Sequence, residues 1–170
     1  GIAAVMVNHV RFDGLDAQYP ATLSPRVIGD LLRQEMGFNG VACTDCMEMK
    51  AIRNHYGAGE SAVLAALAGE DIIFFSHTRA YQAEAYDALR AAAQSGRLPL
   101  DRINEAAMRV HALLARFPAQ QPDISTIHQP ERLALMQQAA RAGTVLLKSD
   151  PTVFPLKPDA NIGVVEFASY

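Results

Sequence analysis

The side chains best suited to chemistry lie in "VACTDCMEMKAI", residues 41–52. Cys43 and Cys46 form a C-x-x-C, a spacing that serves redox or metal sites. Asp45 sits between them at the end of a short apolar run of β type. Side chains alternate along a strand, so Val41, Cys43 and Asp45 share one face and Ala42 and Thr44 the other. A zinc site needs four ligands, and the sequence has no second C-x-x-C and no H-x₃₋₅-H; His55 is the nearest histidine in this stretch. A thioredoxin-like pair would open a long helix, whereas Cys43 lies inside the strand. The thiols are therefore read as small core-filling groups, with no metal or cofactor expected. A carboxylate ending a buried strand needs hydrogen bonds, a counter-charge or a function. It can equally cap the segment that follows, and the residues alone leave both roles open for Asp45.

Two other strand-like runs end in polar pairs, "AAVMV" in Asn8-His9 and "DIIFF" in Ser76-His77. In α/β proteins the active site gathers at the carboxyl ends of the strands, where the βα loops open. Polar residues also end strands simply because the chain is leaving the core. His9 is thus either a donor toward Asp45 or a satisfied structural histidine, and His77 either lines a pocket or sits in a loop.

The elements that must position these residues alternate. Residues 3–10 read as a buried strand. Ser24 and Pro25 supply an N-cap and a first-turn proline for a helix "PRVIGDLLRQEM", ended by Gly37. A strand at about 40–45 follows, then a loop or short helix, then an Ala-rich helix closed by Gly69. A third strand at 71–76 leads to a helix stopping at Gly96 and another capped by Asp101. Pro118 and Pro122 mark a linker; beyond it come a helix from Pro130 running into an extended segment and a final strand in "ANIGVVEF". Strand–helix alternation means parallel βαβ units. Three strands are too few to close a barrel, and the glycine-rich phosphate loop of a dinucleotide fold is missing after the first strand.

Composition narrows the partners. Half of the 170 residues are apolar and 19% are charged, with a net charge of −3 and no basic block. A sizeable core is expected, and neither nucleic acid nor a membrane is an expected partner. No secretory leader is visible, so the compartment stays open, the cytoplasm being slightly favoured over secretion.

Taken together, "VMVNHV", "YPATLSPRVIGDLLRQEMGFNGVACTDCMEM" and "AVLAALAGEDIIFF" resemble glycoside hydrolase family 3, and within it the β-N-acetylhexosaminidase branch. The shared features are a V-M-x-x-H strand, L-R-x-E-x-G-F-x-G, a strand ending in T-D-x-x-x-M and an A-G-x-D strand start, covering residues 3–117. "AARAGTVLLKSDPTVFPL" resembles the family's entry into a second α/β domain. The resemblance implies an α/β chain made of a partial (β/α)₈ TIM barrel, strands 6–8 with their helices (1–117), a linker (118–130) and the first elements of a second α/β domain (131–170). It implies that Asp45 is the nucleophile of a retaining glycosidase, that Met49 closes its motif, and that His9, Met49 and His77 line the substrate pocket. Cys46 stands where many relatives carry Asp or Ala, which makes the C-x-x-C an accident of a variable position.

The implied substrate is a terminal β-linked N-acetylhexosamine, such as an N-acetylglucosaminide of cell-wall origin in peptidoglycan recycling. The branch's acid/base Asp–His pair and its sugar-binding Lys-His and Arg come from the earlier half of the barrel, and K-H-F-P-G-H-G and D-S-H do not occur here. The chain thus reads as a carboxyl-side piece whose partner is the missing amino-terminal half. Alone it is expected to be inactive, with unpaired sheet edges that favour association. The alternatives are a β-glucosidase or β-xylosidase type of the same family, or a non-catalytic half-barrel module.

Overall fold

The computed structural model describes residues 2–117, 123–127, 129–152 and 154–163. The chain divides into two compact units, Gly1–Ala119 and Gln120–Tyr170. In the first, β1 (Ala4–Val7), β2 (Val41–Cys46) and β3 (Ile72–Phe74) form a parallel sheet in the order β1-β2-β3. Parallel neighbours need crossovers. A π-type helix, Arg26–Glu35, lies between β1 and β2, and α1 (Lys50–Tyr56) and α2 (Ala58–Ala68) lie between β2 and β3. After β3 come α3 (Arg79–Gln94) and α4 (Leu100–Arg116).

The two faces of the sheet differ. Ala42 and Thr44 are fully buried, whereas Cys43 and Asp45 on the other face of β2 stay half-buried. Met6, in register with Cys43 and so on the same face, is 60% exposed. The apolar clusters lie on the Ala42–Thr44 side, whereas the Cys43–Asp45 face is buried only at Val41. One cluster joins Leu23, Met47, Ile52 and Ala65, and another joins Val63, Ala66, Ala92 and Leu98, with Ile73 packing against both. The helix α2 reads AGESAVLAALA, and small side chains all round let it bury eight of its residues. Gly69 closes it at φ +118, and a side chain there would also meet Ile28 Cγ2 at 2.8 Å. Only glycine satisfies both conditions.

At the amino ends of β2 and β3, the buried Asp71 carboxylate accepts from four donors. Arg33 Nη2 lies at 2.6 Å, Arg102 Nη2 at 2.7 Å, and Arg109 Nη1 and the Ala42 N–H each at 3.1 Å. Next to it, Glu70 is 2% exposed and its carboxyl oxygens have no hydrogen-bond partner among the described residues. Burial, and then the Asp71 charge, push the Glu70 carboxyl up to about 9, opposed by Arg33 and Arg102.

Several expectations shift. The second strand has the expected length, whereas β1 and β3 are shorter than the runs 3–10 and 71–76 suggested, because pairing stops where the chain leaves the sheet. Asp101 does not cap α4; Pro99 holds that position, and Asp101 falls in the first helical turn. The helix at Arg26 has the expected signals: Ser24 Oγ accepts from Val27 N–H at 3.2 Å, and Gly37 follows its end at φ +65. Its turns, however, are of π type, as in the Met36 N–H to Leu31 carbonyl bond. In the second unit α5 spans Pro130–Gly143, and none of its described residues is buried. Of the expected final strand "ANIGVVEF", residues 164–167 lie outside the described residues.

The Glu70 carboxyl gives a test with a definite sign. An unfolded glutamate releases its proton near 4.5, whereas the folded one keeps it to about 9. The folded state therefore loses stability as pH rises through that window. Glu70→Gln removes this loss, so urea unfolding at about pH 5 and about pH 8 is expected to show the variant gaining on the parent at the higher pH. Parallel pH dependences would show that Glu70 is ionised in the fold.

Candidate active site

The site forms at the carboxyl ends of the strands, around an irregularity in β2. Cys43 pairs with Ile72 and Cys46 with Phe74, so the register shifts between them. The ladder bond lost there is replaced: the Phe74 N–H donates to Thr44 Oγ1 at 2.9 Å, and the Met47 N–H resumes pairing with the Phe74 carbonyl at 2.8 Å. Bulges of this sort bend a strand and re-aim its side chains. Thr44 and Asp45 are the residues inside the irregularity. Asp45 is half-buried, and its Oδ1 accepts from the Cys46 N–H at 2.6 Å.

His9 does not meet the Asp45 carboxylate through the hydrogen bonds its ring makes. Its Nε2 lies 3.0 Å from the Cys46 carbonyl, and its Nδ1 lies 2.9 Å from Thr22 Oγ1. The Thr22 hydroxyl in turn donates to the Asn8 carbonyl at 2.7 Å. His9 thus brackets the β1 end to the residue following Asp45, and of its two readings the structural one is what its partners fit. Met49 precedes α1 as its N-cap, 47% exposed. Its N–H donates back to the Cys46 carbonyl at 3.1 Å, which closes a tight turn over Cys46–Met49.

Inside that turn is a carboxylate the sequence reading did not single out. Glu48 Oε1 accepts from the His77 N–H at 2.7 Å and the Thr78 N–H at 3.0 Å, and Oε2 lies 3.1 Å from the Thr78 nitrogen. Thr78 is the N-cap of α3 and makes no side-chain cap of its own, so Glu48 supplies the acceptor from a neighbouring loop. Hydrogen bonding from the Thr78 side chain, then from the two backbone N–H groups, holds the Glu48 carboxyl down at about 2. The only sequence cue was its place three residues after Asp45, and its partners lie about thirty residues away. The exposed His77 ring has Nδ1 3.9 Å from Cys46 Sγ. Cys46 is thus not a core-filling thiol: it is half-buried beside two polar side chains. Cys43 is half-buried too, and burial raises its thiol pKa.

A cavity of about 400 Å³ lies away from this cluster among β3, α3 and α4, lined by Glu70, Leu89, Leu98 and Arg102. It opens toward the amino end of β3, where the fold's parallel βα loops do not converge.

Fold and site define a parallel α/β protein with a carboxylate presented at the carboxyl edge of its central strand. Residues 1–113 match the glycosyl hydrolase family 3 N-terminal domain, whose fold is of the TIM-barrel α/β type. A solved family 3 β-N-acetylglucosaminidase from Paenibacillus sp. FPU-7 superposes with a TM-score of 0.77 at 41% identity, over 88% of this chain and 30% of that one. An uncharacterized secreted glycosyl hydrolase of Arthroderma benhamiae is 36% identical over 120 residues, 70% of this chain and 34% of its own length. A β-N-acetylglucosaminidase/β-glucosidase of Cellulomonas fimi is 24% identical over 174 residues, 92% of this chain and 30% of its length. The chain belongs to glycosyl hydrolase family 3. It spans about a third of the length of these curated relatives.

The Glu48 tie is open to direct titration. A carboxyl held at about 2 instead of 4.5 stabilises the fold above pH 4.5, and that contribution is lost as pH falls through about 2. Carboxyl-detected NMR is expected to place the Glu48 midpoint near 2, and Glu48→Gln to flatten the acid limb of the stability profile. A midpoint near 4.5 would contradict the tie.

Proposed function

We propose that the protein carrying this chain is a retaining glycoside hydrolase that removes terminal β-linked N-acetylhexosamine, with Asp45 as nucleophile. The supporting observation is the setting of Asp45: half-buried, inside the β2 irregularity at the carboxyl end of the strand and held by the Cys46 N–H. Attack of the carboxylate on the anomeric carbon breaks the glycosidic bond and forms a glycosyl-enzyme. A second group protonates the departing oxygen and then activates the water that releases the sugar. The Cys46 N–H donates to the carboxylate and orients it, and His9 keeps the Cys46 backbone in place. Met49 and His77 flank the sugar site.

In this reading residues 1–117 are strands 6–8 of the barrel with their helices, 118–130 a linker and 131–170 the entry to a second α/β domain. The first two elements of site chemistry, the acid/base and the sugar-binding cations, come from barrel strands outside this chain. The 170-residue chain alone is therefore inactive. The sugar preference rests on the relatives' names, and one of these carries both β-N-acetylglucosaminidase and β-glucosidase, which keeps a β-glucosidase as the second reading. An aryl β-N-acetylglucosaminide and an aryl β-glucoside compared on the full-length parent separate the two.

The nucleophile assignment is tested in the same parent. Asp45→Ala is expected to lower kcat/KM by at least about 10³-fold with the fold retained. Were Asp45 only a cap, the change would cost about 1 kcal/mol of stability and leave turnover near that of the parent.

A further inference from the structure

Cys46, Glu48 and His77 come from the end of β2, the turn after it and the loop after β3. Their ligand atoms — one thiol sulfur, one carboxylate oxygen and one imidazole nitrogen — lie within 4.8 Å of one another. We propose that these three side chains form a binding site for a zinc ion, adjoining Asp45.

The donor set and the spacing both fit. Zinc takes mixed S, N and O ligands, with Zn–S near 2.3 Å and Zn–N near 2.0–2.1 Å; tetrahedral coordination then sets sulfur and nitrogen about 3.6 Å apart. Cys46 Sγ and His77 Nδ1 stand at 3.9 Å, a gap that a small rotation of the exposed His77 ring closes. Glu48 is the anchored ligand. It is ionised well below neutral pH, and three contacts from the His77 and Thr78 nitrogens fix its orientation. The Thr78 side chain also bonds this carboxylate, so a metal would take the place of one of these contacts. Calcium and magnesium prefer all-oxygen shells and are disfavoured by the thiol. Binding forms the Zn–S bond and releases the Cys46 thiol proton to solvent. Water would complete the shell, as in three-ligand zinc sites.

A consequence follows that rests on Asp45 being the nucleophile. The Cys46 N–H holds Asp45 Oδ1, so a dication on the Cys46 sulfur draws on the same carboxylate and crowds the approach to it. Zinc would then inhibit the parent enzyme.

The test uses the full-length parent and reads metal binding without turnover. Cobalt(II) is titrated in under reducing conditions, and zinc is then used to displace it. The wild type is expected to show a thiolate-to-cobalt charge-transfer band that zinc abolishes. Cys46→Ser is expected to remove the band, and His77→Ala and Glu48→Gln to weaken zinc binding by at least about tenfold. Cys43→Ser is expected to retain both. Asp45→Asn is expected to keep the band, so failure of the nucleophile assignment leaves the metal site standing. Absence of the band in the wild type, its survival in Cys46→Ser, or its loss in Cys43→Ser overturns the proposal.

Discussion

The position of every catalytic candidate depends on a buried carboxylate that is not one of them. Asp71 gathers Arg33 from the π-type helix, Arg102 and Arg109 from α4, and the Ala42 N–H of β2. Its own N–H donates to the Ala42 carbonyl, so side chain and backbone together lock the start of β3 against the start of β2. Arg33 also donates to the Phe38 and Gly40 carbonyls, which fixes the loop that delivers the chain into β2. A buried ion pair contributes little net stability over an apolar packing. Removing one partner nevertheless leaves the others uncompensated, typically at about 3–5 kcal/mol. Asp71 therefore sets register more than it adds stability, and register decides where Asp45 emerges.

The two ends of the sheet are built on opposite principles. At the amino end, charges are sequestered and matched, apart from Glu70, which burial keeps neutral. At the carboxyl end, backbone groups of the loops are held by side chains from neighbouring segments: the Cys46 carbonyl by His9, and the start of α3 by Glu48. Regular pairing is given up between Cys43 and Cys46, and the Thr44 hydroxyl absorbs the resulting unpaired N–H. A firm base with an irregular polar rim suits a site that must present a carboxylate to solvent and still hold it.

Sequence reading recovered what local chemistry dictates. Strand–helix alternation, the glycine stops at Gly37, Gly69 and Gly96, and the placement of Asp45 at a strand end all reappear, because each depends on neighbours in the chain. What it missed has two causes. The π-type winding at Arg26–Glu35 leaves the apolar spacing nearly unchanged. Glu48 looked like one more polar loop residue, since its partners are the N–H groups of His77 and Thr78. The approach of His77 to Cys46 likewise has no cue in the spacing, because the β2–β3 crossover brings the two together across thirty-one residues. Contacts made through parallel crossovers carry no local signature.

The account turns on a covalent bond between Asp45 and the anomeric carbon. The most direct measurement is to trap the full-length parent with a 2- or 5-fluoro glycoside carrying a good leaving group and sequence the labelled peptide by mass spectrometry. The label is expected on Asp45, in the peptide spanning "VACTDCMEMK". A sugar found on any other residue, Glu48 included, would contradict it.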